Sequence, residues 1–143
     1  MATERSANVV WNGDLMSGSG TIGTVGSGAF GPLDVSWASR SEEPNGKTSP
    51  EELIAAAWAA CFAMALSNGL AKGGTPPEQL QTSATVTFQP GEGITKGVLT
   101  VRGTVPGIDA DGFQAAAQDA VHNCPVSQAL TGIPDVTLDA ALQ

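Results

Sequence analysis

The sequence predicts an α+β domain in which antiparallel sheets are built around a central buried helix. Alternating polar and apolar residues with glycine-rich turns occupy the start of the chain and return between residues 80 and 105. Between them lies an uncharged, alanine-rich stretch. The resulting order, β-β-β-α-β-β-α-β, lacks the regular βαβ alternation of parallel-sheet proteins. The 143 residues suit one domain, 1–143, that buries roughly 70% of its unfolded surface.

Three short antiparallel strands are predicted at residues 8–11, 21–25 and 33–37, where polar and apolar side chains alternate. Gly-Ser-Gly stretches at 18–20 and 26–28 separate them. Neither stretch is followed by the lysine and helix of a phosphate-binding loop. We therefore interpret both as hairpin connections.

A long helix is predicted from Ser49 to Lys72. Ser49 is a good N-cap, Pro50 suits the first helical position, and Glu52 is placed to complete a capping box. Residues 53–71 carry no charge, and glycines at 69, 73 and 74 favour an end there. Only residues 53–66 are almost purely apolar, so a buried helix is favoured over a membrane span.

This helix has no polar face, and it must therefore be covered on every side. In a domain of this size a single sheet covers only one side. The remaining sides need a second helix or a second subunit, which favours a homodimer over a monomer.

The second half of the chain predicts a hairpin, a helix and a final strand. The hairpin strands are residues 80–89 and 97–105, joined around Pro90 and Gly91. A helix from Gly112 onward is capped by Asp109 or Asp111. Pro125 either kinks this helix or makes it restart with Cys124 as the cap of a new turn. Residues 136–142 form the last strand.

The charge balance excludes two classes of partner. Six basic residues face 14 acidic ones, and the net charge of −8 is spread evenly along the chain. Nucleic acids and anionic membrane surfaces both need clustered Lys and Arg, so neither is expected to bind. The first residues lack the basic region and apolar run of a secretory signal, which predicts a cytoplasmic location.

Two cysteines are the candidates for chemistry. Cys61 lies in the middle of the central helix, and Cys124 follows 63 residues later beside a proline. Without a Cys-x-x-Cys motif and with a single histidine, no metal site is predicted. Either the cysteines are inert core residues or they form a redox pair. Trp58 and Phe62 flank Cys61, where they line an apolar pocket or belong to the core.

A fixed cation favours the redox interpretation, because a guanidinium beside a cysteine stabilises the reactive thiolate. Arg40 precedes the loop that leads into the helix, and Glu51 is the free carboxylate that could hold it. Alternatively, Arg40 is a solvated charge at the end of a strand, and Glu51 only interacts favourably with the helix dipole. Ten residues separate Glu51 from Cys61, about 15 Å along a helix. If Glu51 and Cys61 serve one site, either Arg40 bridges them or a partner subunit supplies the carboxylate.

Two segments resemble the signatures of a known family. Ser-Pro-Glu-Glu-Leu at 49–53 leads into the alanine-rich helix around Cys61, and Asn-Cys-Pro-Val-Ser stands at 123–127. Both resemble the OsmC/Ohr family of hydroperoxide-reducing proteins, and the resemblance extends over essentially the whole chain. The Trp-Ala-Ser-Arg stretch at 37–40, close to the helix, is more similar to the OsmC branch than to Ohr.

The resemblance implies an OsmC-like intertwined homodimer with two sites at the subunit interface. It also implies a cysteine peroxidase that reduces organic hydroperoxides without metal, haem or flavin. Cys61 matches the peroxidatic cysteine, Cys124 the resolving cysteine, Arg40 the activating arginine and Glu51 its carboxylate partner.

In this scheme Cys61 becomes a sulfenic acid and Cys124 condenses with it to a disulfide. An external dithiol of the lipoyl type, which the family implies, then reduces the disulfide. An apolar substrate pocket that favours organic over hydrogen peroxide is expected from Trp58, Phe62 and Met64.

Two other functions compete with this one. The first is a stress-related binding or structural protein with inert core cysteines. The second is a different thiol-disulfide reaction on the same scaffold, because a fold does not fix a function.

Overall fold

The computed structural model describes all 143 residues, which form six strands and four helices. The chain divides into two compact units, an N-terminal unit of residues 1–53 and a C-terminal unit of residues 54–143. Each unit has its own sheet of three strands.

The sheet of the N-terminal unit is antiparallel throughout. Its strands β1 (Val9–Asn12), β2 (Ser19–Ile22) and β3 (Leu33–Val35) follow one another in space as in sequence. All three predicted strands are present, although the third is shorter than expected.

The predicted third strand ends early because a short helix begins there. Helix α1 (Trp37–Ser41) starts with a reciprocal capping box, in which the hydroxyls of Ser36 and Ser39 each accept a hydrogen bond from the other residue's backbone N–H, at 3.1 and 3.0 Å. Arg40 therefore lies in the last turn of a helix instead of at the end of a strand.

Helix α2 (Pro50–Lys72) has the predicted bounds. Its start is capped by Ser49, whose hydroxyl accepts a hydrogen bond from the N–H of Glu52 at 3.2 Å. The predicted capping box is wrong in its second half, because the Glu52 carboxylate instead accepts a bond from the Thr48 hydroxyl at 2.8 Å.

The sheet of the C-terminal unit is mixed. Strands β4 (Gln79–Gln89) and β5 (Gly93–Thr104) form the predicted antiparallel hairpin. Strand β6 (Asp135–Leu142) pairs parallel to β5, which departs from the antiparallel expectation. A parallel return is possible because α3 (Ala110–Asn123) and α4 (Pro125–Ala129) form a long connection between the two strands.

Helix α3 is capped by Asp109, whose carboxylate accepts a bond from the N–H of Gly112 at 2.7 Å. It ends at Cys124, because Pro125 has no N–H to donate to the carbonyl of Val121. Cys124 is at once the last cap of α3 and the first cap of α4. Of the two alternatives for this proline, the structure adopts the restart.

One face of α2 builds the core of the C-terminal unit. Its buried residues recur every fourth position, which places them on a single stripe. They pack with buried side chains of β5, α3 and the segment before β6; the cluster comprises Trp58, Phe62, Leu66, Leu70, Leu99, Val101, Val105, Phe113, Ala117, Ala120, Cys124 and Ile133.

The opposite face of α2 is apolar and exposed. Ala56, Ala57 and Ala60 lie there with Met64, whose exposure is 72%. By length and composition α2 is also the one helix that could cross a membrane. In the single chain, then, only one side of this apolar helix is covered.

Candidate functional site

The two cysteines belong to the C-terminal unit, where both are free thiols. Cys124, at the junction of α3 and α4, is completely buried. Cys61, in the middle of α2, is partly exposed and packs against the core cluster that contains Cys124. The fold thus places two cysteines that are 63 residues apart in the sequence at the same core, close enough for each to affect the pKa of the other, and only Cys61 is partly open to solvent.

The environment of Cys61 disfavours its thiolate. Burial raises the pKa of the Cys61 thiol, and the neighbouring Cys124 raises it further. The backbone N–H of Val126, at the start of α4, opposes this increase without cancelling it.

The environment of Cys124 has the opposite net effect. Burial raises the pKa of Cys124, but the N–H of Ser127, the thiol of Cys61, the hydroxyl of Ser127 and the N–H of Val126 together bring it below its ordinary value. Of the two thiols, Cys124 therefore loses its proton more readily than Cys61. Within this unit the early-ionising sulfur is Cys124, whereas the family resemblance leads one to expect Cys61.

Arg40 and Glu51 form an ion pair in the N-terminal unit. Arg40 donates from Nε to both carboxylate oxygens at 3.0 and 3.2 Å, and from Nη2 to Oε1 at 2.8 Å. The Glu51 side chain is only 7% exposed, and that of Arg40 is 32% exposed. This forked contact fixes the plane of the guanidinium while part of it stays accessible.

Two further contacts hold α1 against the start of α2. The buried hydroxyl of Ser39 donates to the carbonyl of Thr48 at 3.1 Å, and the Thr48 hydroxyl donates to Glu52. The segment that carries Arg40 is thereby fastened next to the turn that carries Glu51.

Arg40 also borders an apolar cavity of about 360 Å³ in the N-terminal unit. None of the residues predicted from the sequence to line a substrate pocket borders this cavity. A signal for it exists, since Trp37 and Arg40 are three residues apart and share a face once the segment is helical. The lining residues are Val9, Trp11, Leu15, Ile22, Val35, Ser36, Trp37, Arg40, Pro50 and Leu53.

The three residues expected to line a substrate pocket lie in different surroundings. Trp58 and Phe62 are buried in the core cluster of the C-terminal unit. Met64 is exposed and borders a surface cleft between α2 and the start of β4. The single chain does not gather them around one cavity.

Ser127 is a site residue that the sequence analysis missed. Its hydroxyl accepts a hydrogen bond from Nε1 of Trp58 at 2.7 Å, and Ser127 is among the residues that lower the pKa of Cys124. The sequence contains one indication of this position: Ser127 lies three positions after Cys124, and a residue at that distance from a helix cap lies next to the cap.

The chain offers no ready metal site. No group of three or more His, Cys, Asp or Glu side chains lies close enough together to hold an ion.

Comparison with known proteins gives a consistent result. A family model described as OsmC-like protein matches residues 43–139. Peroxiredoxin OsmC of Escherichia coli (strain K12) is 40% identical over 146 residues, which cover 100% of this chain and 99% of that protein. The organic hydroperoxide resistance protein OhrA of Bacillus subtilis (strain 168) is 34% identical over 71% of this chain and 73% of its own length.

A solved structure shares the fold. The organic hydroperoxide resistance protein from Elizabethkingia anophelis superposes with a TM-score of 0.73 at 21% identity and covers 100% of both chains.

The opposite pKa shifts of the two thiols predict a split titration. The ultraviolet absorbance of thiolates should rise in two steps, one below the pKa of an ordinary thiol and one above it, because each step belongs to the coupled pair. The absence of tyrosine leaves this band free of phenolate absorbance. At neutral pH more Cys124 is then ionised than an ordinary cysteine would be. A single rise in absorbance at the ordinary thiol pKa, with the amplitude of two thiolates, would contradict this assignment.

Proposed function

Because the chain belongs to the OsmC-like protein family, we propose that it is a cysteine-based peroxidase that reduces organic hydroperoxides through a Cys61–Cys124 disulfide cycle. The names of its relatives support a peroxidase role. The observation that carries the two-cysteine cycle is the meeting of a partly exposed thiol with a buried one of lowered pKa.

Exposure assigns the first step to Cys61, because a hydroperoxide can reach this sulfur and cannot reach the buried one. In chains whose Cys124 is ionised, the proton on Cys61 passes to the neighbouring sulfur of Cys124. The Cys61 thiolate then attacks an oxygen of the O–O bond, which forms the S–O bond of a sulfenic acid and expels an alkoxide. The alkoxide takes the single proton of the pair and leaves as an alcohol.

The second step uses the Cys124 thiolate that forms when the alkoxide takes the proton from Cys124. It attacks the sulfur of the Cys61 sulfenic acid, the S–S bond forms, and the S–O bond breaks with release of hydroxide. The two thiols have then lost two electrons to the hydroperoxide. An external dithiol restores them by thiol–disulfide exchange and becomes a disulfide itself, with no metal or other cofactor in the cycle.

Arg40 is the cation in this proposal, and Glu51 holds it. Since burial raises the pKa of Cys61, a fixed positive charge is needed to stabilise the attacking thiolate and the departing alkoxide. The forked ion pair supports this role, because it orients the guanidinium in advance. Arg40 comes from the same chain or acts as Arg40 of the partner subunit.

The apolar cavity beside Arg40 supports the choice of substrate. An organic hydroperoxide combines an apolar group with a polar O–O end, and the cavity combines an apolar lining with one guanidinium. Hydrogen peroxide has no apolar group with which to use this lining.

We also propose that the protein is a single-domain homodimer in the cytoplasm, with neither nucleic acid nor membrane as partner. Its exposed apolar surface supports the dimer: Val10 on β1 is 63% exposed and Met64 on α2 is 72% exposed. The net charge of −8 argues against anionic partners. Two unpaired cysteines suit a reducing compartment.

One equivalent of cumene hydroperoxide should remove two hydrogen atoms per chain, and peptide mapping should find Cys61 linked to Cys124. Cys61→Ser should abolish peroxide consumption, because the accessible sulfur is lost. Cys124→Ser should still react once and leave a sulfenic acid on Cys61 that dimedone traps.

The competing functions give different results in the same assay. Thiols that react with peroxide only after the fold is opened would establish inert core cysteines. Faster turnover on small disulfides than on hydroperoxides would establish a different thiol reaction. Either result would overturn the proposal.

Arg40→Gln should slow hydroperoxide consumption by about 10²-fold, because a fixed donor for the developing negative charge is lost. Glu51→Gln should cost less, since the guanidinium remains but is held loosely. Arg102 is the matched control, because it pairs with Asp139 at 3.0 Å in the other Arg–carboxylate pair of the chain. Arg102→Gln should react at the wild-type rate, and a wild-type rate for Arg40→Gln would remove Arg40 from the site.

Sedimentation should give a dimer at micromolar concentration, because the uncovered face of α2 is apolar from Ala56 to Met64. Met64→Glu places a charge on that face and should shift the protein toward monomer. A wild-type protein that sediments only as a monomer would contradict the proposed assembly.

A further inference from the structure

Thr82 is the one polar side chain on the inner face of strand β4. Alternate residues of this strand are half-buried, and the other four are apolar: Leu80, Ala84, Val86 and Phe88. The first three of these pack against the core cluster. A hydroxyl at such a position needs a hydrogen-bond partner, because burial removes the water that would otherwise bind it.

The partner of the Thr82 hydroxyl is a backbone carbonyl of helix α2. Its Oγ1–H donates to the carbonyl of Ala59 at 3.1 Å, across 23 residues of sequence. Ala59 lies in the middle of the helix, where its carbonyl also accepts from the N–H four residues later. This carbonyl therefore accepts twice, once within the helix and once from the sheet.

A second hydrogen bond joins the same turn of α2 to helix α4. Nε1 of Trp58, the residue before Ala59, donates to Oγ of Ser127 at 2.7 Å. Trp58 is 1% exposed, and a Cβ added at Gly97 of β5 would lie 2.5 Å from its ring, so the indole packs directly on that strand. One turn of α2 is thus bonded to β4 at Ala59 and to α4 at Trp58.

Cys61 lies two residues after Ala59, on the opposite flank of α2. At 3.6 residues per turn, Ala59 is about 60° to one side of the buried Phe62, and Cys61 is about 100° to the other. Burial follows this order, because Phe62 is 0% exposed, Cys61 is half-buried and Ala60 is exposed. A rotation of the helix about its axis therefore moves Cys61 either toward the core or toward the solvent.

We propose that Thr82 is a positioning residue for Cys61: it fixes the rotation of α2 through the Ala59 carbonyl and keeps the Cys61 sulfur within reach of Cys124. The buried stripe of α2 determines which face turns inward. A hydrogen bond depends steeply on distance and angle, and it sets the rotation more finely. This inference rests on the proposed disulfide cycle and concerns the geometry of the step in which the S–S bond forms.

Loss of the Thr82 bond should lower the effective concentration of one sulfur at the other. Without it α2 is held on one flank only, and it spends less time in the rotation that brings Cys61 to Cys124. Movement in either direction has this effect, since both directions take the sulfur away from its partner. In the peroxide cycle the same loss should slow disulfide formation, so that dimedone traps more sulfenic acid.

The test measures the equilibrium between the full-length protein and glutathione. The two thiols pass two electrons and two protons to oxidised glutathione, which becomes two molecules of reduced glutathione, and the equilibrium constant gives the effective concentration of the sulfurs. Thr82→Val changes no charge and removes the donor, and it should lower this constant about threefold. Thr82→Ser should restore it, because the hydroxyl returns.

Thr85 is the matched control, because it lies on the same strand with its side chain exposed. Thr85→Val should leave the equilibrium constant unchanged. Urea unfolding of the reduced proteins separates positioning from a general loss of stability. A Thr82→Val protein that is less stable but keeps the wild-type constant has lost a structural contact only, and this result overturns the inference.

The same measurements distinguish a failure of this inference from a failure of the proposed function. A wild-type protein that consumes hydroperoxide, with the same constant in Thr82→Val, overturns the role of Thr82 and leaves the peroxidase proposal standing. A lowered constant in a protein that forms no sulfenic acid with cumene hydroperoxide supports the positioning of the thiol pair and overturns the peroxidase proposal. A wild-type protein that forms no Cys61–Cys124 disulfide with oxidised glutathione overturns both.

Discussion

Pro125 ends helix α3 at Cys124, and the surroundings of the Cys124 sulfur depend on that break. A proline cannot donate to the carbonyl four residues earlier, so the helix must stop and restart. The restart places the N–H groups of Val126 and Ser127 in the first turn of α4, where they have no helical carbonyl to bond, and both lower the pKa of Cys124. In an uninterrupted helix those groups would bond to carbonyls, and Cys124 would be an ordinary core cysteine facing α2.

The break between α3 and α4 helps to give the two thiols different pKa values. The proposed chemistry depends on this difference. The sulfur that hydroperoxide can reach is the one with the raised pKa, and the sulfur hidden in the core is the one with the lowered pKa. One proton between them suffices for the whole cycle, because it ends on the departing alkoxide. In the proposed cycle, Arg40 is the positive charge that stabilises the Cys61 thiolate, and the ion pair with Glu51 holds its guanidinium.

The parts of the fold that the sequence predicts are those encoded by local chemistry. Helix α2 is indicated by Ser49 and Pro50, and the end of α3 by a proline after Cys124. The parallel pairing of β6 could not be predicted, because register between distant strands has no local signal. Helix α1 was not predicted, because polar and apolar residues alternate up to Trp37 and this pattern favours a strand. In the structure the Ser36–Ser39 capping box starts a helix there instead.

The candidate site also has parts that the local sequence predicts and parts that depend on distant contacts. Its cysteines and its arginine are recognisable from type and spacing, but what surrounds each of them is a tertiary property. The bond from Trp58 to Ser127 spans 69 residues, and the cavity beside Arg40 is assembled from three strands and two helices.

In the proposed cycle, the two sulfurs that react with each other belong to the same chain. The direct measurement mixes Cys61→Ser and Cys124→Ser chains, unfolds and refolds them together, and adds organic hydroperoxide. The account predicts that denatured chains keep the mass of single chains, because neither variant holds both sulfurs. A disulfide between Cys61 of one chain and Cys124 of the other, with the mass of two chains, would contradict it.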